Sequence, residues 1–94
     1  MTGKRASNAA AEAIRALIHD VQISDAGGQL LAVLPYPALK AKAVASGDAA
    51  KWRMSDESGA LLQSGKIGEG LTLDRTDIQY GGTVTIEGIE IEIN

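Results

Sequence analysis

Hydrophobic and polar positions alternate most clearly at the end of the chain, where residues 83–94 read T-V-T-I-E-G-I-E-I-E-I-N. Val84 and Ile86 fall on one face of an extended chain and Ile89, Ile91 and Ile93 on the other, so the period-2 pattern changes phase at Glu87-Gly88. This predicts one long strand with a break in register. A glycine inside a strand marks a bulge or a bend, and one extra residue there re-aims every side chain that follows. The second half then lays three isoleucines on one core while Glu87, Glu90 and Glu92 stay in water.

Ahead of this strand, residues 1–8 form a polar arm that carries Lys4 and Arg5. Ser7 or Asn8 suits the N-cap of a helix over residues 9–19, whose apolar positions Ala10, Ala13, Ile14, Leu17, Ile18 and Val21 keep the 3, 4 spacing of one face. Glu12 and Arg15 are spaced to pair on its wet side. The segment reads as an alanine-rich amphipathic helix rather than the core of a signal peptide. Residues 21–24 and 29–34 alternate as two strands around the turn Asp25-Ala26-Gly27-Gly28, and Pro35-Tyr36-Pro37 stops the second, because proline cannot donate to a ladder.

The alternation continues more weakly through residues 38–46, where Leu39, Ala41, Ala43 and Ala45 suit a strand. Ala50, Trp52 and Met54 share a face in residues 49–55, and Asp56-Glu57-Ser58-Gly59 turns the chain into a returning strand over 60–65. Leu71-Thr72-Leu73 is a further short strand. Residues 74–80 read as an irregular connection anchored by Ile78, and Gly81-Gly82 leads into the last strand. The fold class that follows is mainly β: an N-terminal helix, then a small antiparallel β-sandwich or jelly roll over residues 20–94. At 94 residues, the arm (1–8) and one domain (9–94) use the whole chain.

Composition makes that core thin. Of the 42 hydrophobic residues 15 are alanine, with no Phe, one Trp and two Tyr, so a partner or self-association is expected to help the fold. The absence of cysteine excludes disulfides, thiol catalysis and Cys-based metal sites. No apolar run approaches the roughly 18 residues that span a bilayer. Residues 1–54 hold seven basic against four acidic side chains, a net of +3, and residues 55–94 two against eight, a net of −6. An overall charge of −3 with 3% aromatics disfavours nucleic acid, which selects Lys and Arg together with rings that stack on bases. Opposite signs in the two halves would help copies meet head to tail, but solvated faces explain most charge runs of this kind.

Candidate chemistry is sparse. His19 beside Asp20 reads as a surface residue or one capping the helix C-terminus. No nucleophile motif surrounds any serine. Asp56-Glu57, Asp74 and Asp77 sit among turn residues, where Asp binds its own backbone. The stretch 74–77 lacks the spacing of a calcium loop. Gly65, Gly68 and Gly70 match neither GxGxxG nor a phosphate loop and read as a flexible connection, and Trp52 reads as core. No catalytic residue, cofactor or metal is expected.

The stretch G-D-A-A-K-W-R-M-S-D-E-S-G-A-L-L-Q-S-G-K-I-G over 47–68, followed by L-T-L-D-R-T-D-I-Q-Y-G-G-T-V-T-I-E-G-I-E-I-E-I over 71–93, carries a resemblance. With the alanine-rich helix ahead, it is similar to a group of small tailed-bacteriophage and prophage proteins. In that group a tryptophan strand of the type A-x-W-x-R-x-x-D-x-x-G is paired with a stretch of the type D-L-x-L-x-x-T-x-I-x-x-G-x-x-V-x-I. Leu71, Leu73, Thr76, Ile78, Gly81, Val84 and Ile86 match this pattern. The chain departs from it in a shorter middle section and at Gly88-Ile89. The resemblance implies a virion structural protein, above all a capsid decoration or cement protein bound in many copies to the head shell, made in the bacterial cytoplasm. Its partner would be the major capsid protein or another virion protein, met by Lys4 and Arg5, with the β-domain supplying self-association. The alternative is a low-copy tail, neck or fibre binding module, which would expose Trp52 or Tyr36.

Overall fold

In the computed structural model the described residues are 15–90, and they form nine strands. The strands are β1 (Asp20–Ser24), β2 (Leu30–Leu34), β3 (Lys40–Lys42), β4 (Gly47–Asp48), β5 (Lys51–Ser55), β6 (Leu61–Lys66), β7 (Leu71–Leu73), β8 (Asp77–Ile78) and β9 (Thr83–Ile89). They make a four-stranded sheet in the order β2-β1-β5-β6, a three-stranded sheet β3-β9-β7 and a two-stranded ribbon β4-β8. All the strand pairings are antiparallel. The protein is thus mainly β, as the alternation predicts.

Both larger sheets feed one core. Val21, Ile23, Leu34, Trp52 and Met54 come from the first sheet, Leu71, Leu73, Val84 and Ile86 from the second, and Ile78 from the ribbon. Each follows from period-2 alternation with one face dry, which gives the layers a β-sandwich-like arrangement. Ile78 is buried as expected of an anchor, although residues 74–80 are less irregular than their sequence suggests: Gly47 faces Ile78 and Asp48 faces Asp77 in the ribbon.

The register break in the last strand lies where the pattern changes phase. Leu73 faces Ile86 but Thr72 faces Gly88, so Glu87 is the extra residue of a bulge and Leu71 faces Ile89. Ile86 and Ile89, three apart in sequence, therefore pack on the same leucine-lined side. Ile91 and Ile93 lie outside the described residues.

The helix departs from expectation. Among the described residues it covers only 15–17, and Leu17 is 58% exposed rather than on a buried face. The Ile18 N–H still reaches the Arg15 carbonyl at 3.3 Å, but the His19 N–H donates to the Ser55 carbonyl at 2.8 Å. From Asp20 onward the chain pairs with β5, so Val21 is a fully buried strand residue opposite Met54 and not a helical one. Strand pairing here overrides an alanine-driven helix preference that extends no further than Leu17. Residues 9–14, the proposed N-cap at Ser7 or Asn8, and the arm with Lys4 and Arg5 lie outside the described residues. Glu12, the expected partner of Arg15, lies outside the described residues, and Arg15 Nη2 donates to the Ile89 carbonyl at 2.9 Å, tying the start of the described chain to the end of β9.

The β1–β2 and β5–β6 hairpins close on the same kind of loop. Asp25 Oδ1 accepts the Gln29 N–H at 2.8 Å, and Asp56 Oδ1 accepts the Ala60 N–H at 2.9 Å. Gly28 and Gly59, the fourth residue of each loop, take φ of 93° and 89°, a conformation an L side chain rarely adopts. The strand expected over 38–46 shrinks to β3, because Ala43 and Val44 turn away to donate to the Gly82 and Leu31 carbonyls.

Candidate interaction surface

The four-stranded sheet has a dry face and a wet one, and its register decides which residues meet on the wet face. Ile23, Trp52 and Gly65 align across β1, β5 and β6 on the inner side. The neighbouring cross-strand rows point outward. One runs Val33, Gln22, Arg53 and Ser64, and the next Leu30, Ser24, Lys51 and Lys66. Lys51, Arg53 and Lys66 are all exposed. Lys51 and Lys66 are direct partners in the β5–β6 ladder, and none of the three cations makes an ion pair among the described residues. Like charges set opposite each other in a sheet cost about 0.2–1 kcal/mol. A protein of net charge −3 thus sets three exposed cations on one sheet face, with the Asp20 carboxylate at the end of the same face of β1, bonded by Gln22 Nε2 at 3.3 Å.

The chemistry of this face is that of carboxylate recognition. Two ammonium groups and a guanidinium are flanked by hydroxyls of Ser24 and Ser64 and the amide of Gln22, with no aromatic in either row to stack on a base. An opposite feature lies on the ribbon, where Asp48 and Asp77 are direct partners and both exposed. Gln79 Nε2 donates to Asp77 Oδ1 at 3.0 Å and so orients that carboxylate.

Trp52 belongs to the other face and is only 4% exposed. Its Nε1–H is shared between the Lys66 carbonyl at 3.0 Å and the Glu69 carbonyl at 2.9 Å. The ring also floors an open depression of about 660 Å³ lined by Gly65, Gly68, Gly70, Glu69 and Glu90. Those glycines are more than the flexible connection their spacing suggests. Gly65 lies within β6, and the turn that follows is closed by Gly68 N–H to Leu71 O at 2.8 Å and Glu69 N–H to Lys66 O at 3.0 Å. Tyr36 is half-buried, and the exposed aromatic is Tyr80.

The remaining candidates stay apart. His19 Nδ1 lies 3.3 Å from Asp20 Oδ2, exposed and beyond the helical turn it was expected to cap. Asp56 is occupied by its own turn: its Oδ1 accepts from Ser58 Oγ at 2.7 Å and from the Ser58 and Ala60 N–H groups at 2.9 Å. These bonds, led by the Ser58 hydroxyl, hold its carboxyl below the ordinary value of 3.8. Among the described residues no group of three or more His, Asp or Glu side chains converges as metal ligands do, and no helix is long and apolar enough to cross a membrane.

Sequence reasoning singled out Lys4 and Arg5, which lie outside the described residues, and missed the basic face. Lys51 and Arg53 were legible as the wet positions between Ala50, Trp52 and Met54. The place of Lys66 was not, because a bulge between Met54 and Ser55 sets its register. Compared with known proteins, the chain matches no family model, no curated protein and no solved structure.

Proposed function

We propose that this chain is a non-enzymatic structural protein of the bacteriophage capsid-decoration kind, bound in many copies to a head shell that it stabilises. The observation that carries the reading is the exposed Lys51–Lys66 pair with Arg53 beside it, a sheet face whose three cations make no ion pair among the described residues of the protomer. Repulsion within a protomer that a neighbour can relieve favours the assembled state, and binding stabilises a thin-cored domain by mass action. The resemblance of residues 47–93 to small tailed-phage proteins supplies the kind of assembly. In this reading the arm with Lys4 and Arg5 meets the capsid protein, and the β-domain meets its own copies. The opposed β2-β1-β5-β6 and β3-β9-β7 sheets suit a β-sandwich better than a jelly roll, whose eight strands fill two sheets.

The test is co-sedimentation of the purified chain with head shells that lack it, for the full chain and for a variant without residues 1–8. The reading expects saturable binding in many copies, lost in the truncated protein while its Trp52 emission stays native. Equal binding by the truncated protein would remove that role from the arm, and no binding by either would remove the shell. A low-copy tail, neck or fibre module is the second reading, favoured by Tyr80, which is 75% exposed on a loop held by a 2.8 Å bond from its N–H to Ser46 Oγ.

A further inference from the structure

We propose that Lys51 and Lys66 on the sheet face of one copy dock onto Asp48 and Asp77 on the ribbon of a second copy of this chain. The proposal rests on reading the basic face as an interaction surface, and it names the partner of that face.

Both features are like-charged pairs of direct ladder partners. Lys51 faces Lys66 across an antiparallel ladder, and Asp48 faces Asp77 across another. Direct partners in such ladders have Cα atoms about 4.5–5.5 Å apart, so the two pairs share their backbone spacing, and the flexible lysine stems let the two ammonium groups settle onto the two carboxylates. Laid on each other, each charge gains an opposite one, and the repulsion inside both pairs is relieved together. Neither pair is satisfied within the copy: no ion pair among the described residues involves any of the four side chains. Asp48 precedes Lys51 by only three residues, but the chain between them is split between layers. The Ala49 N–H donates to Thr76 O at 2.8 Å, beside the ribbon, and the Ala50 N–H to Ser24 O at 2.9 Å, in the four-stranded sheet.

The partner could have been nucleic acid or an unrelated acidic protein. No aromatic in the two outward rows stacks a base. An acidic surface of the required spacing is already present on the chain itself, which is the reason to choose a second copy. Because the two surfaces differ, the contact is heterologous. It either propagates from copy to copy into a ring or row, or closes when two copies make both contacts at once. Exposed ion pairs are individually weak, so association in dilute solution is slight and sensitive to salt. Copies held side by side on a larger assembly meet at effective concentrations in the millimolar range, about 1 mM, where weak contacts count.

Sedimentation velocity of the full chain at about 1 mM tests this, in about 0.01 M salt, where charges act over about 30 Å, and in about 1 M salt, where they act over about 3 Å. The expected result is a concentration-dependent mixture of monomer and larger species at low salt and monomer alone at high salt. The double variants K51E/K66E and D48K/D77K should each be monomeric at low salt, and an equal mixture of the two should associate again as complexes of unlike partners. The neutral variant K51Q/K66Q should also lose association, and native Trp52 emission in every variant shows that the fold is retained. Monomer in all conditions, association of either charge-reversed double variant alone at the wild-type level, or no recovery on mixing would each overturn the proposal. Loss of association in the variants with shell binding intact would leave the shell reading standing, and salt-sensitive association of the wild-type chain without shell binding would remove the shell while keeping the contact between copies.

Discussion

A Cβ built on Gly65 would lie 2.8 Å from Cζ2 of Trp52, and one built on Gly70 would lie 2.9 Å from the same atom. The indole has no room to retreat, since its Nε1–H is held by the Lys66 and Glu69 carbonyls on the turn that joins these two glycines. Gly65→Ala is therefore expected to destabilise the protein by about 1–3 kcal/mol through overpacking, and to shift Trp52 emission. Gly59→Ala provides the contrast. Nothing lies within 4 Å of its Cβ position, but φ is 89°, so it should cost about 1–2 kcal/mol of backbone strain and leave the emission unchanged. Urea titrations followed by fluorescence and by circular dichroism separate the two effects.

Trp52→Phe removes the indole donor while keeping an aromatic ring. The Glu69 carbonyl loses its donor while the Lys66 carbonyl keeps the Glu69 N–H, and the expected loss is about 1–3 kcal/mol, with a smaller cost for Tyr80→Phe, whose ring is exposed. In the unmodified protein Trp52 should emit at short wavelength and be quenched weakly by acrylamide. Strong quenching would expose the ring and favour the low-copy binding module.

The bulge at Glu87 makes a deletion milder than an insertion. Removing Glu87 leaves Leu73 facing Ile86, Thr72 facing Gly88 and Leu71 facing Ile89 in an uninterrupted ladder, so the apolar pairs survive. Adding an alanine between Glu87 and Gly88 turns Ile89 away from the core and should cost about 1–2 kcal/mol, less than full burial of an isoleucine because Ile89 is half-buried. Denaturation midpoints of the two variants give the order. An insertion as stable as the deletion would contradict the bulge as the device that aims Ile89.

Asp56 gives the fold a dependence on acid. Its carboxyl is held below 3.8 in the folded protein, chiefly by the Ser58 hydroxyl. A folded value below the unfolded one means that the carboxylate adds stability above the unfolded value, and that this is lost as pH falls through the folded one. Asp56→Asn should thus be less stable than the parent at neutral pH, with the gap narrowing below about pH 4 and closing in stronger acid. Thermal melts of both proteins across this range check the sign.

Much of the strand pattern was legible because alternation with one dry face is a local signal. Val84 and Ile86, and Trp52 and Met54, were each placed on one face of a strand by period 2, Leu71-Thr72-Leu73 read as a short strand, and the phase change at Glu87-Gly88 located the bulge. The helix was overextended because Ile18 and Val21 also satisfy a 3, 4 spacing. What ends it is a bond from His19 to Ser55, more than 30 residues away, which a local pattern cannot contain. The same limit hid the candidate surface. That Lys51 meets Lys66 and Asp48 meets Asp77 depends on strand register across two different loops, so neither like-charged pair exists at the level of sequence.

A protein that works in many copies on a shell, as proposed, must be abundant in purified virus particles, and its copy number there tests the proposal most directly. Quantitative mass spectrometry against the major capsid protein should return a ratio near one copy per capsid subunit, or a simple fraction of it. A handful of copies per particle, or none, would contradict it.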